Sequence, residues 1–321
     1  MDDLLLGLDL GTSRCKAVLV DGSGSEVGAA TAPTPFRSAG GCTEMAVDAL
    51  LATVSGLAAS LEPGIRRVTS VGIAGMAECG APLDAYGRPL APIVAWHDPR
   101  GTDVAEHLQS VFGDALGLRT GQRPRPVSTI AKLGWLVGHG IGPVARWLGA
   151  PELCLHELTG EAATEHSLAS RTGCYDVVER RWLEEVARAA GFSTAVFAPV
   201  LAAGSVMGRT RSGRGLPAGI PVTLAGHDHL AGMLGAGARP GDLVNSVGTA
   251  ETVVGTSPVL PDMAKALELR VAASVAPGGA SWAGMTGATR AGLVLAAAAG
   301  ALGRSLAALD ALAGTAAQPA G

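Results

Sequence analysis

Charge is what this chain has least of: Asp, Glu, Lys and Arg make up 16% of its 321 residues and leave a net charge of -4. No run of Lys or Arg forms a basic patch, so nucleic acid is not an expected partner. Cysteines are few and scattered, at positions 15, 42, 79, 154 and 174. Their odd number and the lack of any CxxC spacing exclude a disulfide framework and a thiolate metal knuckle, which fits a reducing cytoplasm. Long apolar runs are missing too. The longest, residues 291–302, is rich in Ala and Gly and falls short of the roughly 18 to 20 residues that cross a membrane. At the start, Asp2 and Asp3 precede a strand-like run where a secretory signal would need a basic stretch and a cleavage site. Aromatics amount to 3%, whereas glycine occurs 46 times, which favours an enzyme-like α/β chain of tight turns over a coiled or fibrous one. Hydrophobic residues at 48% supply a real core, and the length allows two domains of about 100 to 200 residues each.

Chemistry gathers first in LLLGLDLGTSRCKAVLVD, residues 4–21. Two apolar runs around Gly11-Thr12-Ser13 predict a β-hairpin with an acid-bearing bend. Gly11 lets the backbone approach a ligand, Thr12 and Ser13 offer amides and hydroxyls to anionic oxygens, and Lys16 adds positive charge. Such a bend suits phosphate. Asp9 repels phosphate unless a cation intervenes, most naturally Mg²⁺. The plain alternative is a hairpin turn with an incidental acid.

Further along, a third strand is expected over 26–32, a helix over 47–61 and a strand over 68–74, followed by another at 81–84. Glu78, in GIAGMAECG, stands just past a strand and reads either as a hydroxyl acceptor or as a solvated loop acid. The run LAPIVAWHDPR ends in Trp96, His97, Asp98 and Arg100, where α/β folds place ligand contacts. Trp96 can wall a pocket. Asp98 can accept from substrate hydroxyls, or it can cap a helix over about 102–111 together with Asp103. A Ser-capped helix is expected at 128–137, and 164–172 reads as loop, where Ser167 and Arg171 read either as ligand contacts or, more plainly, as solvated surface.

The segment PVTLAGHDHLAGMLGAGARPGDLVNSVGTAETVVG, from Pro221, carries the second concentration. Asp228 falls at a strand-to-helix junction, where a carboxylate can point into a cleft and serve as general base. Gly248 and Thr249 repeat the logic of Gly11 and Thr12, so two bends can grip one phosphate from both sides. His227-Asp228-His229 also permits a metal-hydrolase reading, although no HxxxH spacing supports it.

With DLGTSRCK, AWHDPR, GHDHLAGMLGAG and SVGTAETV in this order, the chain resembles the FGGY-type carbohydrate kinases, which include glycerol kinase and xylulokinase. The resemblance implies an α/β chain with the actin-like ATPase fold, two ribonuclease H-like domains at 1–240 and 241–321, the second incomplete. It implies ATP and Mg²⁺ as cofactors, a small sugar or polyol as partner, and neither membrane nor nucleic acid. By position, Asp9, Gly11, Thr12, Ser13 and Lys16 match the first phosphate element, with Asp9 toward the metal, and Gly248 and Thr249 match the second. Asp228 matches the base. Glu78, Trp96, Asp98 and Arg100 fall where the family contacts its substrate.

Two departures accompany the match. Family members extend further, through a Gly-rich adenosine element, so the exposed apolar edges of a partial second domain favour association, as in a homodimer. Where xylulokinase-like members carry Gln-Met-His, this chain has Met76-Ala77-Glu78, closer at its last position to glycerol kinase. The alternatives are a truncated sugar-binding remnant and a different actin-like ATPase.

Overall fold

The computed structural model describes residues 3–247, 251–289 and 291–315. Its organising element is a six-stranded sheet built on the first hairpin. Strands β1 (Leu4–Leu10), β2 (Arg14–Val20) and β3 (Glu26–Pro33) run antiparallel, and β4 (Val68–Gly75) lies parallel to β1. β5 (Gly208–Arg209) and β6 (Pro221–His227) complete the order β5-β6-β4-β1-β2-β3, with β6 parallel to β4. The reason is a period of two: Leu4, Leu6, Leu8 and Leu10 all turn to one face and are buried there. Helices α1 (Val47–Ala59) and α2 (Ala150–Thr159) cover that face, α1 through Val47, Leu50, Val54 and Leu57, α2 through Leu153, Leu155 and Leu158.

Register decides where chemistry can happen. Asp9 pairs with Ala74 of β4, Gly226 of β6 pairs with the same Ala74, and His227 with Gly75. Three parallel strands therefore end together, the edge at which open α/β sheets bind ligands. A register shift between Leu224 and Gly226 bends β6 just before that edge.

A five-stranded sheet stands beside this core in the order Arg37–Ala39, Cys42–Met45, Ile93–Val94, Gly80–Leu83 and Arg146–Gly149. A four-stranded antiparallel sheet follows, β7 (Leu243–Val247), β8 (Glu251–Ser257), β9 (Ala272–Val275) and β10 (Trp282–Thr289), ordered β7-β8-β10-β9. Helix α3 (Asp228–Gly235) lies beneath it, its Leu230 and Met233 packed with Val254, Ala276 and Ala283. Backbone bonds seat this sheet on the rest of the chain. Ala273 N donates to Gly121 O at 2.9 Å and Val275 N to Ser170 Oγ at 3.1 Å. Gly121 has φ +77°, and a Cβ there would collide with the Ala273 carbonyl, so the close approach needs glycine.

Several expected elements differ in extent. The helix expected over about 102–111 runs Thr102–Thr120, continuing past a non-helical Gly113. The helix expected at 128–137 is Thr129–Gly138, and Ser128 gives it no side-chain cap. The supposed loop 164–172 is a correction: it holds a strand, Thr164–Glu165, and a helix, His166–Ser170, both buried because their polar groups find partners inside the fold. No helix among the described residues is long and apolar enough to cross a membrane.

Candidate functional site

At the end of β1, Asp9 is the pivot. Its Oδ2 accepts from Lys16 Nζ at 3.1 Å across the hairpin, while its Oδ1 is buried with no hydrogen-bond partner among the described residues. Burial pushes its pKa up, Lys16 opposes, and the Asp228 carboxylate pushes it up further. Strand register puts Asp9 and the start of α3 on one edge, near enough for the two carboxylates to repel. An orphaned carboxylate oxygen is what a Mg²⁺ ion uses when it keeps its waters and takes one or two carboxylates plus phosphate oxygens. Gly11 bends so tightly that a Cβ would stand 2.9 Å from Arg14 O, and the Ser13 carbonyl accepts from Thr34 N at 3.1 Å. Thr12 Oγ1 accepts from Trp96 Nε1 at 2.9 Å, which ties the first bend to the AWHDPR segment 84 residues away.

Asp228 opens α3, directly after β6. His229 N donates to its Oδ1 at 2.7 Å, and His227 Nε2 lies 3.3 Å from the same oxygen. Burial drives the His227 pKa down to about 3, so the contact is a neutral imidazole hydrogen bond and not an ion pair. His227 is held by its backbone: its N–H donates to Ser167 Oγ at 2.9 Å, and Ser167 in turn donates to Glu165 Oε2 at 2.5 Å. Gly226, with φ +110°, makes room for this pair, since a Cβ would meet Ser167 Oγ at 2.6 Å. Burial lifts the Glu165 carboxyl to about 7 against the lowering pull of Ser167 and nearby amides. Among the described residues no group of three His, Cys, Asp or Glu side chains could hold a metal, so the metal-hydrolase reading gains no support.

The third part is the wall formed by residues 78–132. Asp98 is 2% exposed and fully engaged, accepting from Thr43 N at 2.6 Å, Arg100 N at 3.0 Å and the Arg100 guanidinium at 2.8 Å. Burial works to raise its pKa, but these donors prevail and hold it below the ordinary carboxylate value. Arg100 also reaches Glu44 at 2.9 Å. Asp98 and Arg100 thus stand as a strut bracing the loop that presents Trp96, and the helix beginning at Thr102 takes no cap from Asp98. Glu78, at φ +64°, ion-pairs with Arg171 at 2.7 Å, both nearly buried. Lys132, fully buried, donates to Trp96 O at 3.0 Å and Pro126 O at 2.6 Å and fastens the wall together.

The structure therefore gathers Asp9, Thr12, Lys16, Trp96 and Asp228 around one strand-end edge. Glu78, Asp98 and Arg100 belong to the adjoining wall. Gly248 and Thr249 lie outside the described residues. Sequence reasoning passed over Lys132 and Glu165 and favoured a solvated loop for Ser167 and Arg171; the one available signal was a lysine inside the apolar run STIAKLGWLV.

Residues 4–235 match the model of the N-terminal domain of the FGGY family of carbohydrate kinases. An L-fuculokinase of Salmonella typhi is 30% identical over 265 residues, covering 78% of this chain and 56% of that protein. A xylulose kinase of Streptomyces coelicolor is 31% identical over 266 residues, covering 79% of this chain and 54% of that protein. A solved "xyloylose kinase" from Brucella ovis superposes with a TM-score of 0.83 at 25% identity, covering 96% of this chain and 65% of the other. The fold is thus the actin-like ATPase fold of the sugar kinases, and the chain spans about half the length of the curated relatives it matches.

Proposed function

Because the chain belongs to the FGGY family of carbohydrate kinases, we propose that it transfers the γ-phosphoryl group of ATP to a hydroxyl of a sugar or polyol in the cytoplasm. The observation that carries this reading is the pairing of Asp9 and Asp228 on one strand-end edge, electrostatically coupled and joined through Thr12 to the Trp96 wall. In the proposed reaction Asp228 takes the proton of the attacking hydroxyl, its carboxylate aimed by His227 and by the His229 amide. The bend at Gly11, Thr12 and Ser13 offers donors to the phosphates, and Lys16 offsets the charge of Asp9. The unpartnered oxygen of Asp9 would hold Mg²⁺, which would supply charge neutralisation on the phosphate oxygens. Trp96 and Glu78 face the acceptor's carbon chain and hydroxyls. Gly248 and Thr249 form the second phosphate grip, and the chain divides into a sugar-binding unit at 1–240 and a partial nucleotide-binding unit at 241–321.

The test is ADP release by the full chain with Mg²⁺ and ATP, run against a panel of pentoses, pentuloses and polyols. Release that depends on at least one panel member is expected. Release indifferent to every sugar makes the chain a different actin-like ATPase; sugar binding without any release makes it a binding remnant. Either outcome overturns the kinase reading.

A further inference from the structure

The geometry points to a second binding site, an apolar cavity that takes a small uncharged hydrocarbon-like molecule the size of one aromatic ring. It lies under the first sheet, between the two helices that cover that face, and has a volume of about 120 Å³. Leu6 and Leu8 of β1 form its roof, Val54 and Ala58 of α1 one side, and Cys154 and Leu158 of α2 the other. Ala58 and Cys154 are both small, so the two helices leave between them a space that larger side chains would fill. None of the residues gathered around Asp9 and Asp228 lines it. Alternation along β1 separates the two places, with Leu8 turned to the cavity and Asp9 to the opposite face of the strand.

The lining decides the occupant. A buried water needs two to four polar partners, and the backbone around this cavity is already spent in the ladders of β1 and in the two helices. Among the described residues, none of the buried polar side-chain atoms left without a partner belongs to the lining. Burial pushes the Cys154 thiol up, so the sulfur is neutral and offers a soft contact to an aromatic edge. The charges at the mouth, Glu157 and Arg214, are paired with each other. Such a cavity is dry, and its walls lack dispersion partners that an apolar guest supplies; an empty apolar cavity of about 150 Å³ takes up benzene. Entry is through the segment between β5 and β6. Its base is pinned, with Thr210 N donating to Ile220 O at 2.9 Å and Arg211 N to Leu158 O at 2.8 Å. Beyond that base Leu216 is buried as a plug and Arg214 is latched to Glu157. Gly213 and Gly215, at φ +81° and +76°, give the latch a freedom of backbone that other residues lack.

The experiment is thermal unfolding of the full chain with benzene added up to its solubility, and with sodium benzoate as the charged control. Benzene should raise the melting midpoint by about 2 °C or more, and benzoate should leave it unmoved. Ala58→Leu, which fills the space, should abolish the benzene response, whereas Leu216→Ala, which widens it, should keep it. No shift in the parent chain overturns the inference, and so does an undiminished shift in a folded Ala58→Leu, since the guest then sits elsewhere. Should Ala58→Leu fail to fold, diffraction from the parent under xenon pressure decides: a xenon peak between α1 and α2 is expected, and none there overturns the site. Neither readout involves ATP or a sugar, so the kinase reading stands or falls apart from it.

Discussion

The two ends of this chain are similarly apolar and fold to opposite effect. In β1 the leucines at 4, 6, 8 and 10 alternate with other residues, so one face of the strand is buried and the other is free to carry Asp9. In Ala291–Ala301 every residue is apolar or glycine, and Val294, Leu295 and the following Leu302 stand 63%, 54% and 62% exposed. A helix without a polar face has no preferred orientation and buries itself only when surrounded. The lesson concerns alternation: a period-two pattern both builds the core and frees a face for chemistry, and a uniform apolar run does neither.

That contrast can be broken by mutation. The largest effect should come from Leu8→Ala, which opens a cavity under β1 and should cost about 2 to 5 kcal/mol in urea unfolding; a cost near zero would mean that the first sheet is not the anchor.

Next is the buried acid that steadies the base. Glu165 has a folded pKa of about 7, raised by burial from an ordinary 4.5, so the folded chain holds this proton more tightly than the unfolded one. Its contribution to stability is fully present below pH 4.5 and is lost as pH rises through 7, a swing of about 3 kcal/mol. Glu165→Gln should therefore gain on the parent protein across that window, and parallel stability curves would contradict the assignment. His227, lowered from 6.5 to about 3, acts in the reverse sense, its contribution fading as pH falls through that range.

Gly121→Ala should loosen the seat of the four-stranded sheet by about 1 to 3 kcal/mol, because the glycine is at positive φ against the Ala273 carbonyl. Limited proteolysis should then cut first within residues 251–289, while Leu8→Ala should expose the whole chain. Smallest of all, Leu302→Ala should change stability by less than about 0.5 kcal/mol, as exposed positions do.

Much of the first sheet was legible because its signal is local. Alternation in residues 4–10, the Gly-Thr-Ser bend and the helical spacing of Val47, Leu50, Val54 and Leu57 each lie within one element. The placement of Asp9 and Asp228 was legible for a related reason, since Asp9 stands near the end of one apolar strand and Asp228 directly follows another. The segment 164–172 was not. Thr-Glu-His-Ser reads as solvated until Arg171 finds Glu78, 93 residues away, and Glu165 finds Ser167 beneath Gly226. Polar residues can be buried when their partners are supplied by other elements, and local patterning holds no trace of such partners. Asp98 shows the converse: a position that suggested a substrate contact is saturated by Arg100 and by Thr43, 55 residues away.

Steady-state kinetics of Asp228→Asn against the parent chain, with the sugar or polyol that supports ADP release, tests the central claim most directly. The account predicts a kcat lower by about 10²- to 10⁴-fold, with the KM for that acceptor within about twofold. Undiminished turnover by the variant would contradict it.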